Sequence, residues 1–425
     1  MKKLFYTLAL GIILISNSQA QSVSLDADMR PRFEYRHGFG SLLPEGGKPA
    51  AFVTQRSRLN FSFQDTKLKV YFSVQDVSTW GDTRQLAISD ENNSLGLFQA
   101  WFSYAFTENW SMKLGRQTLS YDDQRILGEV DWVMQGRFHD AAMFTFSKNG
   151  FKTDLALAFN QENQKNESSA YTINGFYSYK VMQLLHANKS WNKASVSFLF
   201  MNNGFQRFTQ EETPLPDGVY YRQTTGTYFT FPLASITLTG SSYLQTGKST
   251  PNTDLFAYQY MLEAKYKPGK VVLGLGYEAL SGSDQILESK SNSFFPLYGT
   301  NHKFNGLMDL FYVGNHANSV GLNDIYANIL IPSGENSTIA THLHFFTSNA
   351  QLKDNQNGYL GSELDLVYFK TIAKNIKLNA GYSQFFETES MASVKGGIQP
   401  AKTQNWAWIQ LIVTPNLFKH IWKEE

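Results

Sequence analysis

The chain has 425 residues and no cysteine, and its 37 Lys and Arg nearly balance its 36 Asp and Glu, for a formal charge of +1. Disulfides and a cysteine-linked lipid anchor are thereby excluded, and bulk charge points to no nucleic-acid partner. Aromatic residues make up 15%, with 33 Phe and 22 Tyr against 12 Pro, a composition suited to strands and to membrane-interface belts.

Residues 1–20, MKKLFYTLALGIILISNSQA, follow two lysines with an apolar run from Leu4 to Ile15 and end on Ser18-Gln19-Ala20. That is the pattern of a secretory signal peptide with a small-x-small cleavage site, which predicts a mature chain starting at Gln21. Without Lys2 and Lys3 the mature chain is still nearly neutral. No later run approaches the roughly 18 apolar residues of a membrane-spanning helix.

From Val23 to Arg36 the chain alternates. Val23, Leu25, Ala27, Met29, Pro31, Phe33 and Tyr35 fall on one face, and Ser24, Asp26, Asp28, Arg30, Arg32, Glu34 and Arg36 on the other. In a soluble sandwich the apolar face meets a shared core; in a membrane barrel it meets lipid, and the charged face lines a wet lumen. Candidate strands of about 10 to 14 residues favour the barrel, because globular strands average roughly 5 to 6.

Short turns are predicted at 64–67, 107–109, 147–150, 189–193, 231–232, 267–270, 333–337 and 373–375. Long polar loops are predicted at 38–52, 78–95, 118–137, 161–169, 204–217, 247–253, 282–319, 349–358 and 388–402. Short periplasmic turns facing long extracellular loops are the pattern of an outer-membrane barrel. Residues 21–418 are thus read as an all-β, transmembrane antiparallel β-barrel of about 18 strands, and 419–425 as a short charged tail. The count requires 282–319 to be one excursion, although HKFNGLMDLFYVG within it could pass for a strand. That segment is expected to fold back into or across the lumen, which shields its backbone from lipid. Phe106, Trp110, Phe146, Phe151, Trp191, Tyr266 and Tyr368 lie near the periplasmic turns and are expected to form an aromatic girdle.

Nine of the eleven arginines precede residue 140. On the second strand, VTQRSRLNFSF, Leu59, Phe61 and Phe63 are expected to face lipid, which turns Arg56 and Arg58 toward the lumen beside Arg30, Arg32 and Arg36. Such a wall can guide a carboxylated solute by its guanidinium forks. Asp26, Asp28 and Glu34 share the wall, and pairing with the arginines would instead stiffen the barrel. The stretch GRQTLSYDDQRILGEVDWVMQGRF, from Gly115 to Phe138, fits the long loop after the fifth strand, at the solute's entrance or folded inward to the constriction. If Trp110, Met112 and Leu114 face lipid, Arg116 would too; a lumen role for it requires the strand to bulge or end near Gly115.

In order and spacing, QRSRLNF (55–61), QDVSTWGD (75–82), LFQAWFSY (97–104) and KLGRQTLSYDDQRILGEVDWVMQGRFHDA (113–141) make the chain resemble the alginate-export family of outer-membrane proteins. The later FFPLYGTNHKFNGLMDLFYVG (294–314) resembles versions of the family from Bacteroidetes-type bacteria. The best-known member is an 18-stranded channel for the anionic polysaccharide alginate. The resemblance implies a conduit lined by basic residues, with acidic ones in the gating region, and by motif assigns that role to Arg56, Arg58, Arg116, Arg125, Arg137 and Asp131. Where the family pattern has Tyr-Gly-Asp, this chain has Tyr121-Asp122-Asp123, one more carboxylate at the mouth.

Other motifs suggest chemistry less strongly. His342 and His344 in IATHLHFF should both point into the lumen, opposite Ile339, Leu343 and Phe345, but no third metal ligand accompanies them. HANSVG (316–321) groups a His, an Asn and a Ser without a G-x-S-x-G elbow, and the glycines of GLG (274–276) fit tight strand packing. The reading is a monomeric, cofactor-free, non-enzymatic channel in the outer-membrane bilayer, passing an anionic saccharide or other small polar solute. Its alternatives are a general porin of low selectivity and a barrel whose outer loops act as adhesin or carry enzymatic activity.

Overall fold

Alternation along the strands decides the architecture, and in the computed structural model it puts the polar residues inside. The structure describes residues 21–86, 95–173, 178–210, 215–285, 290–316 and 319–422; the expected signal peptide, 1–20, lies outside the described residues. The first half of the chain forms β1 (Ser22–His37), β2 (Ala50–Gln64), β3 (Leu68–Thr79), β4 (Gly96–Ala105), β5 (Trp110–Gln117), β6 (His139–Lys148), β7 (Phe151–Phe159), β8 (Val181–Trp191) and β9 (Ala194–Phe208). The second half forms β10 (Pro216–Leu233), β11 (Ile236–Thr250), β12 (Thr253–Tyr266), β13 (Val272–Leu280), β14 (Lys290–Ser291), β15 (Leu322–Gly334) and β16 (Ser337–Thr347). It ends with β17 (Tyr359–Ala373), β18 (Ile376–Glu387), β19 (Gln404–Val413) and β20 (Asn416–Ile421).

Each long strand pairs antiparallel with the next, β13 pairs with β15, and β1 closes the ring against β19 and β20. The two-residue β14 lies against β12, and β19 and β20 are two halves of one closing strand. The 20 elements therefore make an 18-strand barrel. Closure of β1 on the last strand leaves the sheet without a free end, as a β-structure in lipid requires. The closing strand breaks at Thr414-Pro415, where proline cannot donate to the ladder, and Ala27 N–H reaches Pro415 O at 3.0 Å. Beyond the break Ser24, Val23 and Ser22 pair with Lys419, His420 and Ile421, so three residues expected in the tail continue the strand.

The bulky side chains on the outer face, among them Phe33, Leu59, Phe61, Leu262, Leu275, Ile325 and Ile409, are exposed, while Asp28, Glu34, Arg56, Glu263, Asp324, Glu363 and Asp365 are buried within. A water-soluble domain inverts this distribution; here lipid is the solvent of the apolar face. Among the described residues no helix is long and apolar enough to cross a membrane. At the short-turn end Phe106, Trp110, Phe151, Trp191 and Tyr266 are exposed, with ring centroids 4.8 Å apart for Trp110 and Phe146.

Two expected loops are shorter than their sequence suggested. In place of 204–217 and 247–253, β9 runs to Phe208, β10 begins at Pro216, and β11 reaches Thr250 before β12 starts at Thr253. The Gly, Ser, Thr and Asn residues of the second segment suggested a loop, but cross-strand pairing overrides them. Lys248 sits opposite Asp254 in the ladder and bridges it at 2.7 Å.

Candidate functional site

The stretch between β5 and β6 and the long segment between β13 and β15 both fold into the barrel. The second is one excursion, as expected: HKFNGLMDLFYVG forms a 3-10 turn at Asn301–Lys303, further turns and a helical turn at Val313–His316, with no strand. The two segments meet in a parallel bridge between Leu127 and Tyr298. Gly128 N–H donates to Tyr298 O, Tyr298 N–H to Ile126 O, and Thr300 N–H to Gln124 O, each at 2.9 Å. Close approach requires glycine here: a Cβ on Gly299 would lie 2.2 Å from Arg125 O, and one on Gly128 2.2 Å from Thr300 Oγ1.

A polar lumen offers these loops little apolar surface, so they bring their own. Leu119, Ile126, Leu127, Leu297, Tyr298, Met308 and Leu310 are all buried, and they join inward-facing Met182, Leu184, Leu199 and Met201 of β8 and β9 in one cluster. Wall side chains fasten the backbone. Arg125 Nη2 donates to Glu278 Oε2 at 2.8 Å and to Asn305 Oδ1 at 2.7 Å, and the guanidinium lies over the Phe304 ring. Glu363 accepts from Met308 N–H at 2.8 Å, Gln245 pairs with both backbone groups of Phe295, and Arg137 donates to Gly299 O at 3.1 Å. Arg125 and Arg137 thus hold the inward loops together.

The wall arginines of β1 and β2 do face the lumen, and carboxylates meet most of them. Arg30 lies opposite Arg56 in the ladder; Asp28 bridges both, at 2.7 and 2.8 Å, and Asp131 from the inward loop bridges both from the other side, at 2.6 and 3.0 Å. Burial alone would raise the Asp131 carboxyl, but Arg56 and then Arg30 outweigh it and hold it below the usual carboxylate range. Glu34 lies between Arg32 and Arg36, at 2.9 and 2.8 Å, and also accepts from Trp406 Nε1. Arg32 stacks on Trp132 with its carbon 4.1 Å from the ring centroid. Arg58 donates twice to Gln75 Oε1 and stacks on Phe98.

Arg116 departs from expectation. The strand neither bulges nor ends at Gly115, which takes φ +120 while the pairing of β5 with β4 and β6 continues one for one. Directly opposed residues share a face. Arg116 pairs with Ala100 and Asp140, two places along from Phe102 and Ala142, so it stands on the lipid side. There it bridges Asp140 at 2.9 Å and stacks on exposed Phe138; Gln117 is the residue that turns inward and is buried.

Loop residues line two cavities. Toward the long-loop end, a cavity of about 540 Å³ is bounded by Arg32, Arg36, Phe39, Phe52, Trp132 and Tyr312. Toward the short-turn end, a cavity of about 460 Å³ is bounded by Asp122, Asp123, Glu263, Asp324 and Asp365 among others. Asp122 and Asp123, expected at the mouth, therefore lie deep in the lumen. Burial, ahead of every other influence, raises the Asp123 carboxyl to about 6.

Sequence reasoning missed the aromatic vestibule and the acidic wall. The second was visible: Glu263, and the pair Glu363 and Asp365, are charged residues on alternate positions of strands whose other face is apolar. His342 and His344 point inward as expected and bond Asn328 at 2.7 Å and Asp324 at 2.9 Å. His316 and Ser319 engage the backbone of Gly321 rather than each other; Asn318 lies outside the described residues. Among the described residues no three potential ligands converge on a metal position.

An 18-strand barrel, apolar outside and polar within, with two loops folded into its lumen, is an outer-membrane channel. The model of the Alginate export family matches residues 21–318, and the chain belongs to that family. No curated protein matches. Among solved structures, the chain is similar to OccAB1 of Acinetobacter baumannii, at TM-score 0.63 and 13% identity over 93% of this chain and 97% of the other. It is likewise similar to OccK9 (OpdG) of Pseudomonas aeruginosa, at 0.59 and 14% over 93% and 98%. The outer membrane protein OprD of Pseudomonas aeruginosa matches at 0.58 and 12% over 93% and 94%. At these identities the likeness is one of fold.

Proposed function

We propose that the channel passes small polar solutes down their gradient and favours those that combine a sugar ring with a carboxylate. The observation that carries this reading is the long-loop-side cavity, where the Arg32 and Arg36 guanidinium groups stand among Phe39, Phe52, Trp132 and Tyr312. Aromatic faces suit the apolar face of a sugar ring, and an arginine fork suits a carboxylate. Its volume of about 540 Å³ falls within the range of small-molecule sites. Arg36 is the wall arginine most open to a solute, its side chain 34% exposed while its partner Glu34 is buried. Membership in the alginate export family agrees with an anionic saccharide as cargo.

A second reading, a porin of low selectivity, draws on the pairing of Arg30 and Arg56 with Asp28 and Asp131, which cancels much of the basic wall. Single-channel conductance in planar bilayers separates the two. An anion preference, with block by galacturonate from the long-loop side that weakens in Arg36→Ala, supports the selective channel. An open pore indifferent to galacturonate and to Arg36→Ala supports the general porin.

A further inference from the structure

The cavity on the short-turn side has the opposite character from the vestibule. Its carboxylates outnumber its cations: Glu263 is met by Lys265 at 2.7 Å and Glu278 by Arg125, which leaves Asp122, Asp123, Asp324 and Asp365 against Lys303 and the imidazoles His186, His342 and His344. Asp123 is the telling residue. Asp123 lines the cavity; its Oδ1 accepts from Arg125 N–H at 3.0 Å, but its buried Oδ2 takes no hydrogen bond. An unmatched buried carboxylate oxygen carries a desolvation cost that a donor entering the cavity would remove.

We propose that this cavity is a binding site for a positively charged organic group, a primary ammonium on a small solute or at the end of a diamine. A metal ion fits it less well. Metal sites draw several oxygens onto one point, whereas among the described residues no three ligands converge and the carboxylates are spread around about 460 Å³. An ammonium needs only three acceptors in loose geometry, and the Tyr326 ring in the same wall supplies a face for cation–π contact. The site rests on the reading of the lumen as a solute path but not on the anionic selectivity of the vestibule. Together the two cavities would engage the two ends of a zwitterionic solute in turn.

The test is block of single-channel KCl current by 1,4-diaminobutane added on the short-turn side, with 1,4-butanediol as the neutral control. Block by the diamine alone, weakened about tenfold in Asp123→Asn while KCl conductance persists, supports the site. Equal block of native and Asp123→Asn channels, or equal block by calcium and by the diamine, overturns it. Calorimetric titration of the native protein in detergent needs no variant: saturable heat with the diamine and none with the diol supports the proposal, and no diamine binding overturns it. Absence of galacturonate block in the native channel leaves this result untouched, so the two readings fail separately.

Discussion

Asp131, carried into the lumen by the loop after β5, lies 3.0 Å from the fully buried guanidinium of Arg56 on the barrel wall. With Asp28 behind it, Arg56 is a structural ion that ties loop to wall. Its burial makes it a poor partner for a passing solute.

Arg56→Ala should therefore act on stability before selectivity. Stripping a buried charge of its partner typically costs about 3 to 5 kcal/mol; here the loss should be smaller, because Arg30 still bridges both Asp28 and Asp131. The expected outcome is a lower unfolding midpoint in detergent, with the anion-to-cation ratio nearly unchanged in the molecules that insert. Asp131→Asn should do the reverse: it releases Arg30 and Arg56 from their loop-side carboxylate, and the permeability ratio should shift toward anions. A shift with Arg56→Ala and none with Asp131→Asn would show that Arg56 meets the solute directly.

The barrel itself was legible because its signal is periodic. Val23 to Arg36 alternates without interruption, and the structure follows it residue by residue, down to Arg30 opposite Arg56. For Arg116 the alternation pointed to lipid and the family resemblance to the lumen, which required a break near Gly115; Gly115 instead accommodates φ +120 within an unbroken ladder, and the alternation holds. The inward loops were harder. Their apolar residues have no period, and their partners Met182, Leu184, Leu199 and Met201 lie on strands that are apolar on both faces, where alternation gives no direction. Contacts such as Asp131 with Arg56, separated by 75 positions, follow from loop placement that no local pattern encodes.

Arg116→Ala gives a direct check on facing. The pair with Asp140 is partly exposed, at 33% and 50%, and exposed pairs contribute only about 0 to 1 kcal/mol. Conductance, selectivity and galacturonate block should all match the native channel. A changed permeability ratio would place Arg116 in the lumen after all.

The pH dependence of loop docking should carry the signature of Asp123. Its carboxyl rises from 3.8 to about 6 in the folded protein, so the native state holds the proton more tightly than the unfolded chain. The contribution is fully present below pH 3.8 and is lost as the pH climbs through about 6, by an amount on the order of 1 to 3 kcal/mol. Comparing native and Asp123→Asn proteins by denaturant midpoint from pH 3.5 to 7 should show a difference that changes across this window and is flat above it. A pH-independent difference would mean that Asp123 stays ionised throughout.

Gly299→Ala tests whether the inward loops set the pore width. The new methyl would sit 2.2 Å from Arg125 O and 2.8 Å from Gln124 O, both backbone atoms that cannot rotate away, so the Leu127–Tyr298 bridge has to open. The barrel ladder is untouched, and the strand pairing that closes the ring at β1 and β19 should keep the protein folded and inserted. With the bridge open, Arg125 loses its fixed approach to Glu278 and Asn305, and the two cavities should merge. The expected readout is a severalfold larger and noisier single-channel conductance with unchanged circular dichroism. A conductance equal to that of the native channel would show that ions pass beside these loops, and that the constriction lies elsewhere in the lumen.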